Sequence, residues 1–196
     1  MAIADLRPPV EASFRPFTAA DLAEMPRELP SGPVRYELDN GRLIAMTPPG
    51  HVHGKVETRI AAALHEPGEK RGFGEVSSGE TGVLLWRSPD RVVGADVVFI
   101  GKDSLPARLT REGYLETIPE LIVEVVSKND TAPYIERKVS DYLRAGVRVV
   151  WVADPESRTL TDHRRDAAPR VYAESETVEP PELIQGLRLS LKEVFG

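Results

Sequence analysis

Two carboxylates stand alone in strongly apolar stretches. Glu124 lies at the centre of Glu120-Leu-Ile-Val-Glu-Val-Val-Ser127, and Asp96 is the only charge inside Val92-Val-Gly-Ala-Asp-Val-Val-Phe-Ile100. In an extended chain Leu121, Val123 and Val125 point one way and Ile122, Glu124 and Val126 the other. Both faces are apolar, so the strand is covered on both sides. A carboxylate buried there is costly unless it binds a cation, pairs, or stays protonated. A divalent cation with oxygen ligands would satisfy both residues. Mg²⁺ commonly takes one or two protein carboxylates and leaves its other positions to water and substrate phosphate. That reading requires the two carboxylates to lie within about 5 Å of each other. The competing reading places each at a strand end or beside an arginine.

Lys138 is the third candidate. It follows Ile135 by three residues and precedes Val139, beside an apolar helical stripe, so its side chain could reach the carboxylates. A lysine there would orient or deprotonate an attacking water and offset charge on a phosphate. Spacing alone favours the other outcome, an ammonium that snorkels to solvent. Other features carry less. His51 and His53 make a His-x-His, but zinc needs further ligands that the spacing does not supply. Gly72, Gly74, Gly79 and Gly82 precede no Gly-Lys-Ser/Thr, which excludes a phosphate loop and leaves turns. Ser127 has no His and Asp placed to activate it. Trp86 and Trp151 sit in apolar runs and read as core.

The elements that must position these groups follow from local chemistry. Thr18 caps a short helix to Glu24, with Asp21 three positions on. Val34–Leu38 and Leu43–Met46 are strands joined through Asn40-Gly41, the preferred pair for a two-residue hairpin turn. Val56, Ile60, Ala63 and Leu64 recur at helical spacing from His53 to before Pro67. Gly82–Trp86 and Val92–Ile100 are core strands separated by Ser88, Pro89 and Asp90. The polar segment 101–119 holds a helical turn around Arg111 to Glu116. Asp130 or Thr131 caps the helix carrying Lys138, and Gly146 stops it in a left-handed conformation. Val147–Ala153 is the next strand. Strand, helix and strand so closely spaced imply a parallel pair with a right-handed crossover. Thr159–Arg164 and Val171–Glu174 form an antiparallel edge hairpin, and Ser190 with Glu193 caps a closing helix ending at Phe195.

The 196 residues suit an arm over residues 1–30, rich in proline, and one domain over 31–196. The sequence contains 0 cysteines, which excludes disulfides and thiolate metal sites and suits a reducing cytoplasm. No apolar run approaches the roughly 18 residues of a membrane span. A net charge of −6 argues against a protein that coats nucleic acid non-specifically, leaving room for a local basic groove.

Six motifs occur in one order: Tyr36-Glu-Leu-Asp-Asn-Gly-Arg-Leu-Ile44, the helix led by His53, Gly94–Ile100, Pro119–Ser127, Lys138 with Tyr142, and Ala145–Val147 through Trp151–Pro155. From about residue 18 onward the chain resembles the Uma-type restriction endonuclease family of the PD-(D/E)XK nuclease superfamily. The resemblance implies an α/β, restriction-endonuclease-like fold: a mixed sheet flanked by helices, with additional antiparallel hairpins. It implies hydrolysis of DNA phosphodiester bonds with Mg²⁺ or Mn²⁺. Asp96 and Glu124 would be metal ligands, Glu37 would complete the shell, Lys138 would be the catalytic lysine moved onto the helix from the place Val126 holds, and His53 would be auxiliary. A homodimer with DNA as substrate also follows, while composition and the lack of a long apolar run make a cytoplasmic protein with no membrane partner the default expectation. Ala95, Val149 and Lys128-Asn129-Asp130 depart from the family's usual residues, and Pro89-Asp90 lies in a turn without the strand context. The rival expectations are a catalytically silent module binding protein or nucleic acid, and a phosphoesterase acting on RNA or small phosphate esters.

Overall fold

The computed structural model describes residues 15–105 and 113–196. The first 14 residues of the expected arm, Pro8 and Pro9 included, lie outside the described residues. Thr18 opens α1 (Ala19–Ala23) with a reciprocal cap, its hydroxyl accepting from Asp21 N at 3.3 Å while Thr18 N donates to the Asp21 carboxylate at 2.8 Å. A small ribbon of β1 (Glu28–Leu29) and β2 (Gly32–Pro33) leads into the antiparallel hairpin of β3 (Arg35–Asp39) and β4 (Arg42–Met46). The turn residues Asn40 and Gly41 have φ of 51° and 76°. These are the positive values that a tight hairpin turn demands. A Cβ at Gly41 would also collide with Pro16. Gly41→Ala therefore destabilises the protein by about 1–3 kcal/mol, read as a lower urea midpoint; an unchanged midpoint would show the turn to be unconstrained.

Helix α2 (His51–His65) begins two residues ahead of the expected start and buries His53, Val56, Ile60 and Leu64 on one face. One π-helical turn (Glu66–Lys70) leads into β5 (Gly74–Trp86), which pairs antiparallel with β6 (Arg91–Gly101). β5 is far longer than the 82–86 expected, and it carries an irregularity. Ser78 pairs with Val97 and Thr81 with Ala95, so Gly79 and Glu80 together oppose Asp96. Both bulged residues have positive φ, 85° and 59°.

The expected helical turn near Arg111 to Glu116 is not found in its described part, and residues 111 and 112 lie outside the described residues. Leu115 instead pairs with β5, donating to the Gly82 carbonyl at 2.8 Å and accepting from Leu84 N at 2.9 Å. A backbone pair with a neighbouring strand satisfies these polar groups where a lone helical turn would leave them to solvent.

Next come β7 (Leu121–Val125), α3 (Ala132–Ala145) and β8 (Val149–Asp154), with β7 and β8 parallel. Thr131 occupies the cap of α3 without a side-chain bond, and Gly146 ends it at φ 115°. β9 (Thr159–Arg164) and β10 (Ala167–Ala173) form the expected antiparallel edge hairpin; β11 (Thr177–Val178) pairs with β12 (Leu189–Ser190), and α4 (Leu191–Phe195) closes the described chain. The main sheet runs β10-β9-β8-β7-β6-β3-β4, with β5 also on β6. Helices cover both faces. Val56, Ile60 and Leu64 of α2, with Val194 of α4, pack on Val97, Val123 and Trp151. Val139 and Tyr142 of α3 pack on Ile122, Val150 and Val152. This is the expected mixed sheet flanked by helices. Trp151 is core, whereas Trp86 is only half-buried, donating to Asn40 at 3.0 Å beneath the Arg144 guanidinium.

Candidate active site

Asp96 and Glu124 lie on neighbouring strands where the pairing of β6 with β7 ends. The last paired residues are Val97 and Val123, and one step further in the same register Asp96 stands opposite Glu124. There the side chain replaces the ladder: Asp96 Oδ2 accepts from Val125 N at 2.7 Å. His53 Nε2, arriving from α2, lies 3.1 Å from the same oxygen. Among the described residues Oδ1 of Asp96 accepts no hydrogen bond.

Glu124 is held from the other face of the sheet. Lys138 Nζ of α3 donates to its Oε2 at 2.8 Å, and the Tyr142 hydroxyl donates to Oε1. Burial pushes the Glu124 carboxyl up to about 7; the Asp96 charge adds to this and the Lys138 ammonium opposes it. Lys138 is only 4% exposed and does not snorkel. Burial alone would lower its pKa, but the carboxylates of Glu124 and Glu37 more than offset that and hold it well above the usual value. The snorkelling favoured from spacing fails because two buried carboxylates draw the ammonium inward.

Glu37 is brought to Lys138 rather than to Asp96. Its Oε1 accepts from Lys138 Nζ at 3.2 Å and Gly94 N at 3.1 Å, and its Oε2 faces Arg91 Nη1 at 3.3 Å. Arg91, itself fully buried, also donates to Asp141 Oδ2 at 3.0 Å. A continuous buried chain of charge thus runs Asp141, Arg91, Glu37, Lys138, Glu124. Asp90 of the Pro89-Asp90 turn is a structural acceptor, taking Ala19 N at 2.8 Å.

Sequence reasoning did not single out Glu57. One group of three His, Asp or Glu side chains has donor atoms all within 4.8 Å of one another among the described residues: His53, Glu57 and Asp96. His51 is exposed, so the His-x-His spacing was the wrong signal. The informative one is His53 with Glu57 four residues later, one turn apart on a helix face. Burial pulls the His53 imidazole down, but Asp96, with Glu57 and Glu124 behind it, outweighs that and the pKa is raised; burial raises Glu57.

Residues 20–192 match the family described as "Uma2: Putative restriction endonuclease". The chain belongs to this family. Among solved structures, this Uma2 chain is similar to a crystal structure described as a putative nuclease of DUF820 from Anabaena variabilis. The TM-score is 0.75 and the identity 17%, over 92% of this chain and 98% of that one. At that identity the likeness is one of fold. No curated protein matches the Uma2 chain. The nuclease fold and the family together support nuclease function in general. No helix among the described residues is long and apolar enough to cross a membrane.

Proposed function

We propose that the protein is a metal-dependent endonuclease that hydrolyses DNA phosphodiester bonds, with Mg²⁺ or Mn²⁺ held by Asp96 and Glu124. The observation that carries this reading is the buried Lys138–Glu124 pair beside Asp96, in a chain of the Uma2 family. The donor set fits a hard dication: two carboxylates on adjacent strands, one with an oxygen still uncommitted. Such an ion, when bound, polarises the scissile phosphate.

The protein's own groups do the rest. Tyr142 fixes the rotamer of Glu124 through one oxygen, and Lys138 lies against the other. The ammonium offsets charge on the phosphate and orients the attacking water. In this reading Glu37, with Arg91 behind it, holds that ammonium instead of completing the metal shell. A homodimer is the proposed working form, resting on the family resemblance alone, and the cysteine-free sequence suits a reducing cytoplasm as its place.

The test is incubation of the protein with plasmid, linear and branched DNA, with and without Mg²⁺ or Mn²⁺, beside Asp96→Ala. The expected result is cleavage that needs the ion and disappears in the variant. Cleavage surviving in Asp96→Ala would reject the site. No cleavage, together with no ion binding by calorimetry, would favour a silent module.

A further inference from the structure

Glu37, Arg91, Glu124, Lys138 and Tyr142 are all buried. The side chain that adjoins them at the Lys138 end, Tyr134, is only half-buried. It lies one helical turn before Lys138 on the same face of α3. Lys138 Nζ sits over the Tyr134 ring, 5.8 Å from its centroid, within the range in which a ring face attracts a cation. The Tyr134 hydroxyl approaches Glu37 Oε2 at 3.5 Å and Met46 Sδ at 3.7 Å. Burial, and then the Glu37 charge, pushes the phenol up to about 12, so the hydroxyl stays a proton donor.

The sheet leaves these contacts a task. β3 meets β6 through one residue pair, Leu38 with Val92, so at the level of Glu37 no ladder ties the two strands. Side chains hold them instead. Gly94 N and Arg91 fix Glu37 from β6, while Tyr134 ties the first turn of α3 to Glu37 on β3 and to Met46 on β4. That turn has little other fastening, since Thr131 makes no side-chain cap bond.

An ammonium carries three N–H groups. Glu124 and Glu37 take two of those on Lys138, at 2.8 and 3.2 Å. We propose that Tyr134 is a positioning residue for Lys138: its ring covers the ammonium and its hydroxyl steadies Glu37, so that the remaining N–H is kept for a phosphate rather than for bulk water. What Lys138 does there rests on the nuclease reading above; where it is held rests on the contacts of Tyr134 itself.

Tyr134→Leu removes ring and hydroxyl, and Tyr134→Phe removes the hydroxyl alone. Acetylation of the full chain by acetic anhydride, read residue by residue by mass spectrometry, measures how open each lysine amine is to solvent and needs no cleavage. Lys138 in the wild type should react far more slowly than the exposed Lys102, Lys128 and Lys192. Tyr134→Leu should raise the Lys138 rate roughly tenfold and leave the other three unchanged, whereas Tyr134→Phe should stay within about threefold of wild type. In cleavage with Mg²⁺ or Mn²⁺, Tyr134→Leu should lower kcat roughly tenfold at unchanged KM. In a Lys138→Met background the same substitution should cost nothing further. A side chain that merely filled space would cost the same in both backgrounds. That result, or Lys138 acetylation unchanged in Tyr134→Leu, would overturn the proposal. Protection of Lys138 lost in Tyr134→Leu, beside a wild type that cleaves no DNA, would uphold the placement of Lys138 by Tyr134 and count against the nuclease reading instead.

Discussion

Arg91→Met lowers stability by about 3–5 kcal/mol, seen as a fall in the urea midpoint with little change in slope. Arg91 is 1% exposed, and its guanidinium serves Asp141, Glu37 and the Leu38 carbonyl, the last at 3.0 Å. Methionine fills most of the volume and removes the charge. Glu37 then keeps Lys138 and Gly94 N, and Asp141 keeps Arg144 at 3.1 Å. These remaining partners hold the effect toward the lower end of the range. The cost comes from stranding buried carboxylates, which exceeds what the intact pairs contribute net. A midpoint equal to wild type would mean that Glu37 and Asp141 find other partners.

Lys138→Met separates two effects. Cleavage falls by roughly 10²–10³-fold, the scale of losing one preorganised electrostatic partner. Stability falls as well, in a way that depends on pH. The Glu124 carboxyl is already raised to about 7, and Lys138 is the leading influence that opposes the rise. Without the ammonium, the folded-state pKa climbs further. A carboxyl raised on folding contributes most at low pH and loses that contribution as pH rises, until its folded pKa is passed. Wild-type loss therefore levels off above about 7, whereas the variant continues to lose. Urea unfolding at about pH 6 and about pH 9 should show the gap between the two proteins widening at the higher value. An equal gap at both would show that Glu124 does not carry the charge paired with Lys138.

The legible parts of the sequence were those whose chemistry has few structural answers. Asn40-Gly41 permits little except a tight turn, and its two positive φ values show it. Asp96 and Glu124 were visible because each is the lone charge in an apolar strand, and they occupy adjacent strands at one level. Lys138 was ambiguous for a physical reason. A helical lysine beside an apolar stripe snorkels unless something buried attracts it, and the attraction comes from Glu37, remote in sequence. The full length of β5 was hidden by Ser77, Ser78, Gly79 and Glu80, polar and bulged residues that break the alternation a strand is read from. Glu57 escaped notice because a glutamate on a helix normally faces solvent; only the fold brings the β5 bulge to it. Arg91, at the turn before a strand, gave no sign of full burial.

The helices that serve Asp96 and Glu124 cover opposite faces of the sheet, with His53 on one and Lys138 on the other. A copy of the chain with either layer detached keeps both strand carboxylates but lacks one of the groups that positions or charges them. Under the proposed function, reactivity toward phosphodiesters then belongs to the finished fold, and a partly unfolded copy is expected to lack it. For a protein of this kind, incomplete folding fails safe.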